Sequence, residues 1–177
     1  MAKRGNRRIK GIKQRVAADM RGIHGIRFCI AVIFSLLCGC IVIFGNIGAA
    51  LTVELVFPSF TPPLFILTLF RIFIFILLGA ALGVLIGRSG CGREARPGRY
   101  SAGVMLFIIG EIIWIELLYC ASAVFLAFIC AAVLTVYAAY LLILLGHRSY
   151  TLSLILALYL AVLIFRTAFS LCLIGLN

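Results

Sequence analysis

The segment "PLFILTLFRIFIFILLGAALGVLIG", residues 63–87, decides the fold class of this chain. It contains one charged side chain, Arg71, and is otherwise almost wholly apolar. A helix of about 20 apolar residues is long enough to cross the hydrocarbon core of a bilayer. The segment therefore predicts a transmembrane helix.

The rest of the chain has the same character. Of its 177 residues, 65% are hydrophobic and only 12% are charged. The hydrophobic fraction exceeds that of soluble domains. One apolar run, residues 101–145, is too long for a single helix, and we divide it near Cys120–Ser122. We predict an all-α integral membrane protein, a bundle of five transmembrane helices with spans at about 28–51, 63–87, 101–119, 121–145 and 152–175.

The positive charge predicts the orientation. The net charge is +11, and nine of the sixteen Lys and Arg residues precede Phe28, in a basic arm of residues 1–27. Four more lie between the second and third spans, whereas the 52–62 and 119–122 connections contain none. The positive-inside rule then places the N-terminus and the arm in the cytoplasm and the C-terminus outside, in a membrane that we expect to be a bacterial cytoplasmic membrane. The basic segments favour anionic lipid, and we predict no nucleic-acid partner.

The connection before the second span is unusual. Three of the chain's four prolines lie in "VELVFPSFTPPLF", residues 53–65, together with three phenylalanines. Proline stiffens the chain and removes backbone donors that lipid cannot satisfy. The segment is either a lid over the bundle or only a stiff interfacial turn.

Three ionisable residues lie inside the predicted spans. At 1.5 Å per residue, Arg71, Glu111 and Arg166 each lie about 12–13 Å below the outer end of their helices. Charges inside a membrane are costly, so they usually pair or line a cavity. We predict a cluster with one spare positive charge, which favours a ligand with an apolar body and a carboxylate. The alternative is a structural ion pair without a ligand.

Other signals concern packing and chemistry. The glycines at 79, 83 and 87 form a small face that allows close helix approach, either within the bundle or in a dimer. The seven cysteines contain no CxxC pair, and the two histidines are far apart, so we predict no metal site. No nucleophile–base pair or phosphate-binding loop is present, and we predict no catalytic residues.

Three patches of sequence resemble the translocator protein family, also called tryptophan-rich sensory proteins or TspO. "PSFTPP" resembles the proline–aromatic segment that leads into that family's second helix. "EIIWIELLY" resembles its third-helix motif, with Trp114 on the motif's Trp. "LYLAVLIFRTAFSLCLIGLN" resembles its closing motif through Tyr159, Phe165 and Asn177.

The resemblance implies a five-helix bundle, often a homodimer, with a pocket roofed by the 52–62 loop. It also implies a hydrophobic ligand such as a porphyrin or another tetrapyrrole, bound for transport or sensing and not held as a permanent cofactor. An enzyme is the less favoured interpretation; the alternatives are a porphyrin-degrading oxidative enzyme and a structural or assembly protein without a small ligand. The resemblance and the buried charges together predict these ligand-binding residues: Phe60, Pro62, Pro63, Phe65, Arg71, Phe75, Glu111, Trp114, Tyr119, Tyr159, Val162, Arg166 and Ser170.

This chain departs from that family's pattern mainly by its loss of tryptophan. It has a single Trp, and Arg71 and Val162 stand where the family has Trp in the second and fifth helices. Porphyrin breakdown that depends on those indoles is therefore not expected, whereas Phe and Tyr still supply flat apolar faces for binding.

Overall fold

The computed structural model describes residues 14, 16, 23–45, 57, 58, 61, 63–87, 97–146 and 149–176. Most of the basic arm and most of the 52–62 loop lie outside these residues. Within the described residues the chain forms five helices, each long and apolar enough to span a membrane. The all-α five-helix prediction is confirmed, with α1 at Gly25–Gly45, α2 at Leu64–Gly87, α3 at Pro97–Tyr119, α4 at Val124–Gly146 and α5 at Tyr150–Leu176.

Three helices, α1, α3 and α5, begin earlier than apolarity alone predicts, and local start signals account for α3 and α5. α3 begins at Pro97, four residues before the predicted span, and proline is well suited to a first helical position because its missing N–H needs no partner there. α5 begins at Tyr150, where the Ser149 hydroxyl accepts a hydrogen bond of 3.3 Å from the Leu152 amide. This is the usual N-cap interaction.

The division of the 101–145 run is confirmed, although no glycine or proline marks it. α3 ends at Tyr119, and Ser122 adopts a positive φ of 48°, the left-handed conformation that commonly ends helices. The Ala121 amide donates a hydrogen bond of 3.0 Å back to the Glu116 carbonyl, which closes the last turn. The chain then re-enters the bundle at Val124.

Helix α2 occupies the centre of the bundle. It packs along α1 and also contacts α3 and α5, while α4 packs mainly along α5. The outer faces of the bundle carry large apolar side chains, such as Ile41 at 72% and Val136 at 71% exposure. A surface of this kind is stable only against lipid, in agreement with the predicted membrane environment.

The glycine face of α2 is used within the chain. A Cβ added at Gly79 would lie 2.8 Å from the backbone Cα of Val32, and one added at Gly83 would lie 2.7 Å from the Phe28 ring. The Ser35 hydroxyl also donates a hydrogen bond of 2.7 Å to the Phe75 carbonyl. The small residues therefore let α1 and α2 approach closely, and this face is covered by α1.

We expect Gly79→Ala to lower the free energy of unfolding by about 1–3 kcal/mol, because the added methyl group must push α1 away from α2. Equilibrium unfolding in mixed micelles measures the change. Gly175→Ala is the matched control, since a Cβ there meets nothing within 4 Å. Equal stability of the two variants would show that the close approach of α1 and α2 is not required.

The predicted orientation can be tested at Cys120, which is exposed in the turn between α3 and α4. With the C-terminus outside, a membrane-impermeant maleimide added to intact cells labels a chain whose only cysteine is Cys120 and spares one whose only cysteine is Cys91. The Glu116 carboxylate beside Cys120 raises the pKa of the Cys120 thiol, so labelling of Cys120 should become faster as the pH increases. Labelling of Cys91 alone would reverse the orientation.

Candidate functional site

The three ionisable residues predicted to meet inside the membrane do lie together and are buried. Arg71 on α2 is 6% exposed, Glu111 on α3 is 1% exposed, and Arg166 on α5 is 6% exposed. α2 starts, and α3 and α5 end, on the same side of the bundle, so each residue lies about 10–15 Å from that end of its helix. The common depth predicted from the sequence brings the residues into one region.

Glu111 is held by two donors. Its Oε2 accepts a hydrogen bond and a salt bridge from Nη1 of Arg166, and its Oε1 accepts a hydrogen bond of 2.7 Å from the Tyr159 hydroxyl. Both carboxylate oxygens are therefore satisfied by α5. A buried carboxylate needs such partners, because desolvation of an unpaired charge costs several kcal/mol.

Arg71 has a different environment. Its guanidinium carbon lies 4.3 Å from the centroid of the Tyr119 ring, a cation–π arrangement. Among the described residues Arg71 forms no salt bridge, and the Glu111 carboxylate is paired with Arg166. The cluster of two guanidinium groups and one carboxylate thus carries a net charge of +1 in a region of low dielectric constant.

The second guanidinium also stacks on an aromatic ring. The Arg166 guanidinium carbon lies 4.1 Å from the centroid of the Trp114 ring. The buried Trp114 indole nitrogen and the buried Ser170 hydroxyl have no hydrogen-bond partner among the described residues. Buried polar groups are usually satisfied, so these two groups are available to a ligand or to water.

A cavity lies between α2, α3 and α5 beside the charged cluster. Its volume is about 40 Å³. Two of the lining residues, Phe70 and Phe165, are 39% and 49% exposed, so the cavity reaches the outer surface of the bundle between α2 and α5. The lining residues are Leu67, Phe70, Arg71, Trp114, Tyr119, Phe165, Arg166 and Phe169.

This volume limits what the cavity can hold. About 30 Å³ corresponds to one water molecule, and sites for whole small ligands are typically 300–1,000 Å³. A carboxylate fits the cavity as it stands, whereas a macrocycle does not. A large ligand could place an acidic substituent here only with its body outside the cavity or after movement of the aromatic side chains.

Four of the thirteen predicted site residues line the cavity: Arg71, Trp114, Tyr119 and Arg166. Glu111 and Tyr159 form the layer that holds Arg166, and Ser170 is buried on the same helix. Phe75 and Val162 are buried but do not line the cavity, and Phe75 instead packs against Gly39 of α1.

The residues predicted from the loop are placed differently. Phe60 and Pro62 lie outside the described residues. Pro63 is exposed, and Phe65 is 72% exposed on the outer face of α2. Phe57 is half-buried and packs against the core, and Pro58 is buried, so this part of the proline-rich segment does contact the bundle.

Four lining residues were missed, and helical periodicity could have found two of them. Leu67 lies four residues before Arg71, and Phe169 lies three residues after Arg166. Residues at these spacings share a helix face. Phe70 and Phe165 each directly precede an arginine; Phe165 matches the family's closing motif, whereas no sequence signal places Phe70 on the cavity margin.

These features define a class of protein, an integral membrane protein whose five-helix bundle keeps a positively charged, aromatic site in its interior. A comparison with protein families identifies the particular one: the chain belongs to the TspO/MBR family, which matches residues 30–175. The family resemblance is thereby confirmed over most of the chain. No curated protein matches the sequence.

Proposed function

We propose that this protein binds an amphipathic ligand that has an apolar, flat body and a carboxylate, in the service of transport or sensing. A porphyrin or another tetrapyrrole with acidic substituents has this chemistry. Phe60 and Pro62 belong to the 52–62 loop, which in this proposal controls entry to the site from the outer side.

The environment of Arg71 is the observation that supports the proposal. The Arg71 guanidinium is 6% exposed and forms no salt bridge among the described residues, since the salt bridge of Glu111 is with Arg166. The cluster therefore keeps one excess positive charge inside the bundle. Such charges are expensive in a membrane and are usually tied to function. A ligand carboxylate would neutralise the charge and accept charge-assisted hydrogen bonds from it.

The aromatic residues of the cavity supply the second part of the recognition. The rings of Phe70 and Phe165 stand at the margin, where the apolar body of a ligand would lie against them. In this arrangement only the acidic substituent enters the cavity of about 40 Å³, beside Arg71 and Trp114. The arrangement favours ligands with a carboxylate on a short arm over ligands whose charge is part of the ring system.

The experiment is an absorbance titration of the purified protein in detergent with a dicarboxylic porphyrin, its dimethyl ester and a sterol. We expect the Kd of the acid to be lower than that of the ester by a factor of about ten or more, since a hydrogen bond to a charged group contributes about 1.5–3 kcal/mol. Equal affinity for the acid and the ester would contradict the proposal, and so would preference for the sterol. Repeating the titration in light and in darkness separates binding from the oxidative alternative, which requires light-dependent loss of the porphyrin absorbance.

A further inference from the structure

A second and larger cavity lies at the opposite end of the bundle. Its volume is about 250 Å³, and it is formed by the start of α1, the end of α2 and the first half of α3. The direct packing of α1 on α3 is slight, which leaves the groove between them. Its lining residues are Arg27, Ile30, Ala31, Phe34, Leu82, Ile86 and Met105.

The residues that line this groove are apolar apart from Arg27. Arg27 is the one charged side chain among its described lining residues, and it is exposed in the first turn of α1. From Arg27 to Phe34 the groove follows α1 for about 10 Å, at 1.5 Å per residue. That length is roughly a third of the hydrocarbon core, so the groove descends from the interface into one leaflet.

The charge around this end of the bundle indicates the occupant. Thirteen of the sixteen Lys and Arg residues lie before Phe28 or between residues 88 and 99, the segments that adjoin the start of α1 and the end of α2. Asp19 and Glu94 are the only acidic residues in those segments. Such segments attract anionic lipid, and each basic residue near the surface adds to the attraction.

From these observations we infer a binding site for one anionic phospholipid, with an acyl chain in the groove and the phosphate at Arg27. A second copy of the chain is a poorer fit. A symmetric interface would place the same patch of each copy against the other and would bring two strongly basic ends together.

The test is native mass spectrometry of the full chain in detergent, after addition of equal amounts of phosphatidylglycerol and phosphatidylcholine with identical acyl chains. We expect one retained phosphatidylglycerol per chain, and retention should fall about tenfold or more in Arg27→Gln, which loses a charge-assisted hydrogen bond to the phosphate. Arg15→Gln is the matched control: it removes the same charge from the arm but no contact with the phosphate, so its retention should fall less than that of Arg27→Gln. Equal retention of the two lipids, or equal loss in the two variants, would overturn the site.

A second variant tests the groove itself. Met105→Trp fills it, so it should abolish retention of phosphatidylglycerol while Arg27 is intact. If this variant does not fold, a competition experiment on the wild type takes its place. The competitor is glycerophosphoglycerol, which has the headgroup of phosphatidylglycerol without acyl chains. Failure of this soluble headgroup to displace the lipid is expected. Displacement of the lipid by this headgroup would overturn the inference. The inference would also be overturned if Met105→Trp changed the fraction of dimer and left lipid retention unchanged.

Discussion

Glu111→Ala should lower the free energy of unfolding by about 3–5 kcal/mol, the largest effect expected of any single substitution in the bundle. The change removes the only acceptor shown for the Arg166 guanidinium and for the Tyr159 hydroxyl among the described residues. Breaking a buried ion pair leaves an uncompensated charge, and that penalty is the main cost. Equilibrium unfolding by SDS in mixed micelles measures it.

Two controls separate this effect from a general loss of charge. Glu116→Ala removes a carboxylate from the same helix, but Glu116 is exposed near the end of α3, and we expect a change within about 0.5 kcal/mol. In the double variant Glu111→Leu/Arg166→Leu both charges are gone, so it should be more stable than Glu111→Ala. Similar losses for Glu111→Ala and Glu116→Ala would mean that the ion pair does not hold α3 and α5 together.

Arg71→Leu should act in the opposite sense on stability while it weakens ligand binding. A charge near the bilayer centre costs about 2.5–3.5 kcal/mol, and a desolvated cation–π contact such as that with Tyr119 returns about 2 kcal/mol. We therefore expect the ligand-free variant to be more stable by about 1 kcal/mol. Its affinity for a dicarboxylic porphyrin should fall by about tenfold or more, because the carboxylate loses its charged donor.

This pairing of opposite effects distinguishes a ligand site from a structural ion pair. Arg71→Lys is the conservative variant: it keeps the charge and should retain part of the affinity, although an ammonium lacks the paired donors of guanidinium. Unfolding and binding are measured on the same preparations. A loss of stability in Arg71→Leu as large as that of Glu111→Ala would show that Arg71 supports the fold and would remove the reason to assign it to a ligand.

The fold was predictable because the length of each hydrophobic segment is read directly from the sequence. The boundaries that differed depend on local capping. Ser149 caps α5, and Ser122 adopts a left-handed conformation that a serine does not signal by its identity. Apolarity alone cannot place a helix start in a polar turn, so α3 and α5 are longer than predicted.

The sequence predicted the depth of the charged residues along their helices, but not which side chains contact each other. Depth follows from the rise per residue and the topology, which is why Arg71, Glu111 and Arg166 could be placed at one level. The choice of partner for Glu111 depends on the rotation of each helix about its own axis, which packing decides. Depth alone therefore could not predict that Arg166 takes the carboxylate and that Arg71 lies over Tyr119.

Helical periodicity distinguishes two apolar residues of α2, Leu67 and Phe65. At 3.6 residues per turn, Leu67 and Arg71 are about 40° apart around the helix axis, whereas Phe65 and Arg71 are about 120° apart. The first residue lines the cavity, and the second is 72% exposed on the outer face. Phe65 was predicted from its position in the family motif, and helical geometry from Arg71 would have selected Leu67 instead.

The most direct measurement of the central claim is a thermodynamic cycle between one side chain and one chemical group of the ligand. It compares the Kd of a dicarboxylic porphyrin and of its dimethyl ester for the wild type and for Arg71→Ala. We predict that the wild type prefers the acid and that the variant loses most of this preference, with a coupling of about tenfold or more. The same acid-to-ester ratio in both proteins would mean that no ligand carboxylate meets Arg71.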